Sequence, residues 1–93
     1  LKISVRDINS EDRLKRKLSK NSRGVVITKI LNTSPLQGQL NINDIILEIQ
    51  KKEVDSNSLN YIVSNLIKKG EKTILLTVIN SENQRRYLGV KIN

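Results

Sequence analysis

NTSPLQGQLNINDIILEIQKKEV, residues 32–54, sets breaker chemistry on either side of one short, dense apolar run. Ser34-Pro35 reads as the start of a single helical turn. A serine hydroxyl can accept from the free N–H groups of a first turn, and proline has no N–H to leave unpaired there. Gly38 and Asn41-Ile42-Asn43-Asp44 then form a polar loop, because Asn and Asp bond their own backbone and tolerate left-handed geometry. Ile45-Ile46-Leu47-Glu48-Ile49 has strand length and is rich in β-branched residues, and a tight turn follows it. A buried strand framed by turns points to a β-rich fold.

Upstream, Leu1 to Ile8 begins with apolar and polar residues in alternation, the period of a half-buried strand. Asn9-Ser10-Glu11-Asp12 is a helix-start cluster, and Leu14 and Leu18 lie four apart in a short amphipathic helix expected over Arg13 to Lys20. The Lys15-Arg16-Lys17 face of that helix is expected to be solvated. After the turn Asn21-Ser22-Arg23-Gly24, the run Val25 to Leu31 is apolar enough for a strand buried on both faces.

Downstream, Asp55-Ser56-Asn57-Ser58 offers N-caps for a helix from Ser58 to Lys68. Leu59, Ile62, Val63, Leu66 and Ile67 form its apolar stripe, and Lys68-Lys69-Gly70 ends it. Thr73 to Ile79 is a strand, Ser81 to Gln84 a hairpin loop, and Arg85 to Ile92 a last strand with Tyr87, Val90 and Ile92 facing inward. The expected order is β-α-β-α′-β-α-β-β, α′ being the turn at Ser34. It makes one α+β, β-rich domain over residues 1–93.

The 37% hydrophobic content comes almost wholly from Ile, Leu and Val, with no Phe, Trp or Met, an aliphatic core suited to strands. No stretch is long enough to span a membrane. The chain lacks an initiator Met and starts inside a strand-like pattern, so it reads as a piece of a longer protein. The absence of cysteine removes disulfides and thiolate metal sites. With neither His nor Cys, no serine has a histidine to activate it, and no loop has calcium-binding spacing. The four glycines form no phosphate cradle. Catalysis, metals and cofactors are therefore not expected of this chain. Asp44 is expected to accept backbone N–H groups in its turn. A net charge of +8 attracts acidic surfaces, but the basic residues are dispersed with few aromatics between them, so no nucleic-acid partner is expected.

The central stretch resembles the PDZ consensus, most closely the bacterial HtrA/Deg (protease Do) form, which runs roughly GSPAxxAGLxxGDVIxxVNGxxV. Ser34-Pro35, Leu40, Asp44-Ile45-Ile46, Ile49 and Val54 fall in that order at nearly that spacing, and Gly24-Val25-Val26-Ile27 with Ile30 resembles the family's central strand. One residue is missing between Pro35 and Leu40. Gln39 and Asn43 stand where glycines are usual, and Gln50-Lys51 replaces Asn-Gly. The resemblance implies a partly open β-barrel or sandwich of five to six strands capped by two helices. It also implies the permuted bacterial topology, in which the closing strand comes last.

In function, the resemblance implies a peptide groove lined by Leu1, Lys2, Ile3, Ser4 and Val5 on the edge strand and Leu59, Val63 and Leu66 on the helix. Its aliphatic lining implies ligands ending in Val, Leu or Ile. The family's carboxylate loop, apolar-Gly-apolar, aligns in two ways. Either Lys2 occupies the glycine's place, or Leu1 is the last apolar residue and the glycine lies upstream; the second is preferred here because such domains commonly read Leu-Gly-Leu. The implied host is a periplasmic HtrA/Deg serine endopeptidase in protein quality control, with this as its second, C-terminal PDZ. Partners would be C-terminal peptides, unfolded substrates, its own protease domain or neighbouring subunits. An oligomer-assembly domain with an unused groove, or the PDZ of another membrane- or secretion-associated protein such as an intramembrane metalloprotease, are the alternatives.

Overall fold

The computed structural model describes residues 1–92. In chain order it contains β1 (Ile3–Asp7), α1 (Ser10–Lys15), β2 (Val25–Ile30), β3 (Ile45–Ile49), β4 (Lys52–Glu53), α2 (Leu59–Lys68), β5 (Thr73–Ile79) and β6 (Arg85–Lys91). The strands form one six-stranded antiparallel sheet in the order β1-β2-β3-β5-β6, with β4 also paired to β3. The α+β class is as expected, but in place of a partly open barrel or sandwich there is one open sheet, with β1 and β6 as its two edges.

Strand β3 sits at the centre, with Val25↔Ile46 and Val26↔Ile45 toward β2 and Ile45↔Ile79 through Ile49↔Leu76 toward β5. Its alternation feeds two cores. Val25, Ile27, Ile46, Ile49, Leu76 and Val78 meet Leu36, Leu40, Leu59 and Val63 on one face of the sheet. Ile8, Val26, Ile45, Leu47 and Ile79 form a smaller core on the other, with Leu18 packed against it. Each fully buried Val, Leu or Ile contributes roughly 1.5–3 kcal/mol relative to exposure.

The turn at Ser34 is a set of hydrogen-bonded turns. The Ser34 hydroxyl accepts from Leu36 N–H at 3.1 Å, and Leu40 N–H donates to the Leu36 carbonyl at 3.1 Å. Asn43 takes φ 78°, the geometry a glycine would supply, and the Asp44 carboxylate accepts from Asn41 N–H at 2.9 Å. After β3, Gln50 and Lys51 adopt φ 52° and 65°, forming the two-residue turn into the short β4, a strand too brief for sequence periodicity to show. Gln50 compensates for the missing Asn-Gly, because its side-chain oxygen accepts from Leu75 N–H at 2.8 Å.

Helix α1 departs from the expected Arg13–Lys20 segment. Asn9 caps it reciprocally with Asp12, and Arg6 grips the Asp12 carboxylate through two N–H donors at 2.7 and 3.1 Å. It ends at Lys15 because Lys17 enters left-handed geometry at φ 57°, so that Lys17 N–H bonds the Leu14 carbonyl and Leu18 N–H that of Arg13; the side chain of Arg16, at the cap, donates to the carbonyls of Asn80 and Asn43. Leu14 is therefore 81% exposed, while Leu18 reaches the smaller core. Helix α2 forms as its stripe requires, burying Leu59 and Val63. Its entry is held by Asp55, whose carboxylate accepts from Asn57 and Ser58 N–H groups at 3.0 and 2.8 Å; the Ser58 side chain caps nothing in the helix. Tyr87 is not inward but 63% exposed. Val90 is buried, so period-two alternation puts Leu88 and Ile92 on the core side and Tyr87 on the opposite face of an edge strand.

Three stability outcomes follow from these contacts. A Cβ at Gly24, where φ is +156°, would stand 2.9 Å from the Ile46 carbonyl oxygen, so Gly24→Ala is expected to lower unfolding free energy by about 1–3 kcal/mol in a urea titration. Lys51→Gly removes a left-handed penalty of about 1 kcal/mol and is expected to raise the urea midpoint. Arg6 hydrogen bonding holds Asp12 below the ordinary carboxylate value of 3.8, and the backbone N–H of Ser58 does the same for Asp55. Both contributions are complete above that value and vanish as pH falls through the lowered folded values. The acid limb of a stability profile is thus expected to flatten in Asp12→Asn and Asp55→Asn.

Candidate functional site

Strand β1 pairs with β2 on one side only, leaving its other backbone edge unpaired within the sheet. Leu31 N–H donates to the Lys2 carbonyl and Ile8 N–H to the Gly24 carbonyl, each at 3.1 Å. Even-numbered residues thus turn their polar backbone groups toward β2, and by antiparallel alternation Ile3 and Val5 direct theirs to the open edge. Their side chains, with Leu1, pack against the main core on the face that carries α2.

Between the start of the chain and α2 lies a groove of about 230 Å³ lined by Leu1, Lys2, Pro35, Val63, Ile67 and Ile92. Leu1, Lys2 and Val63 of the sequence-expected residues meet in it. Ile3, Val5, Leu59 and Leu66 pack in or against the core, and exposed Ser4 lies opposite Lys29 on the far side of β1. Pro35, Ile67 and Ile92 were not expected in the lining. For Ile67 the signal was present, since it follows Val63 by four residues and so shares its helix row. For Pro35 and Ile92 it was absent, because each arrives from a distant part of the chain.

Two contacts hold the walls. At one end the Ser34 hydroxyl donates to the Leu1 carbonyl at 2.6 Å. At the other, Asp7 accepts from the Ser56 N–H at 2.6 Å and the Ser56 hydroxyl at 2.9 Å, tying the end of β1 to the segment that leads into α2. The groove continues past Lys2 into a depression bordered by Thr33, Pro35, Lys91 and Ile92. Two ammonium groups on its rim make this end attractive to an anion. Lys2 has φ 56°, a backbone conformation in which glycine is favoured.

An apolar groove at the entry to a strand with an unpaired edge, positive at one end, can take the end of an extended chain that adds to that strand and hold a negative group there. Among the described residues no group of three or more His, Cys, Asp or Glu side chains comes together as a metal site, and no helix is long and apolar enough to cross a membrane. No protein-family model matches this sequence, and no curated protein is significantly similar to it.

Proposed function

We propose that this domain is a PDZ-type peptide-binding module that takes an extended C-terminal segment onto β1. The observation that carries the reading is an apolar groove between α2 and Leu1-Lys2, the residues that lead directly into the open edge strand β1. The sheet order β1-β2-β3-β5-β6 is compatible with it, because the strand at the edge opposite β1 comes last in the chain, as the permuted bacterial arrangement implies. The left-handed backbone at Lys2 favours the alignment that puts Lys2 at the glycine of the carboxylate loop, which brings that loop inside this chain. In this reading the backbone N–H groups around Lys2 and the Lys2 and Lys91 ammonium groups receive the terminal carboxylate. Ile3 and Val5 pair with the ligand backbone, and Leu1, Val63 and Ile67 receive an aliphatic last side chain. By the same resemblance, the host is an HtrA/Deg-type serine endopeptidase of the bacterial periplasm. The groove would then present misfolded C-termini to its protease domain.

Peptides ending in Val, Leu or Ile are expected to shift amide resonances along residues 1–8 and 58–68, and amidating the peptide terminus is expected to abolish the shifts. Ile67 is 44% exposed, so Ile67→Glu should leave the fold intact while weakening such peptides about tenfold or more. Absence of shifts at millimolar peptide would overturn the groove reading in favour of an assembly role.

A further inference from the structure

The face of the sheet opposite α2 carries a second surface, unrelated to the groove. Leu14 projects into solvent beside Leu18, and the two line a shallow depression of about 580 Å³ with Ser10, Arg13 and Lys20. A lone exposed leucine is ordinary, but this one stands in RLKRKLSK, residues 13–20, where five of eight side chains are cationic and none is acidic. Some of those cations are engaged: Arg13 donates to the Ser22 carbonyl, Arg16 to two carbonyls, and Lys15 meets Glu11. Lys17 and Lys20 are exposed, make no salt bridge among the described residues and flank the leucines; Arg23 and Arg85 border Leu18 on its other side. Glu48 and Glu53 line that same depression and offset the two arginines there, so the positive excess lies on the side of Lys17 and Lys20.

An apolar tip ringed by ammonium and guanidinium groups fits a surface that is anionic outside and apolar beneath. We propose that the segment 13–20 docks this domain on an anionic lipid bilayer, Leu14 entering the headgroup–acyl boundary while Lys17 and Lys20 meet lipid phosphates. Nucleic acid fits less well, because it offers a leucine no apolar layer to enter and no aromatic lines the depression to stack on a base. Since Leu18 packs on the smaller core and α2 on the larger, the docked domain would keep its β1–α2 groove clear of the membrane.

The test is vesicle flotation of the 93-residue chain with phosphatidylglycerol–phosphatidylcholine vesicles, using pure phosphatidylcholine as control. Binding is expected to the anionic vesicles alone and to weaken steeply as salt is raised. Lys17→Glu with Lys20→Glu is expected to reduce partitioning about tenfold or more, and Leu14→Ser by a comparable factor. The chain has no Trp, so Leu14→Trp supplies a single reporter whose emission should shift to the blue on the anionic vesicles. Circular dichroism on each variant confirms that the exposed substitutions keep the fold. Equal behaviour on both vesicle types would overturn the proposal. So would anionic-vesicle binding that Leu14→Ser leaves unchanged, an unshifted emission, or retention on duplex DNA without retention on vesicles.

Discussion

Two-sided burial of β3 is the constraint on which the rest of this structure depends. Ile45, Ile46, Leu47 and Ile49 are all buried, and they are shared between two cores. A strand with no solvent-facing side must be paired along both edges, since an unpaired buried N–H or carbonyl is costly. Strands β2 and β5 are therefore held against it, and β2 approaches so closely that only a glycine fits at Gly24 over the Ile46 carbonyl. Each helix or turn then has a defined face to cover. Helix α2 and the turn from Ser34 to Leu40 close the larger core; the segment around Leu18 closes the smaller one.

The groove is a consequence of that arrangement. Ile3 and Val5 of β1, with Leu1 just before it, pack at the margin of the larger core without being fully covered, and α2 leaves room beside Leu1 and Lys2. An exposed strand edge normally invites unwanted pairing. Here Lys2, Ser4 and Arg6 alternate with the apolar residues and keep the strand's outer face polar, and Asp7–Ser56 and Ser34–Leu1 fix both its ends. The edge is available but not loose, which suits selective addition of one further strand. The second surface, at Leu14, stands on the other face of the sheet, so the two can be occupied independently.

Much of the fold was legible because its elements carry strong local periods. The stripe of α2, the alternation of β1 and the dense runs of β2, β3 and β5 each require one kind of structure, and Asn43 and Asp44 behave as their turn chemistry demands. Of the groove's apolar residues, Leu1 and Val63 were legible for the same reason, because they belong to those patterns. Other features were hidden. The Arg16 side chain anchors the end of α1 on carbonyls 27 and 64 residues away, which no window on the sequence contains. Tyr87 looks like a core aromatic by composition, yet alternation from buried Val90 turns it away from the larger core on an edge strand, where it is exposed.

By itself, then, the sequence determined which segments become strands and helices, that the core is aliphatic, and that the chain carries no histidine or cysteine chemistry. Those properties reside in residue type and spacing along a few turns of chain. Only the tertiary structure decided that the sheet stays open, that Lys2 takes a glycine's backbone conformation, and that Pro35, Ile67 and Ile92 meet Leu1 in one groove. These depend on sheet order and on contacts between residues far apart in sequence, where geometry is set by the packing of whole elements and not by any residue's own preference.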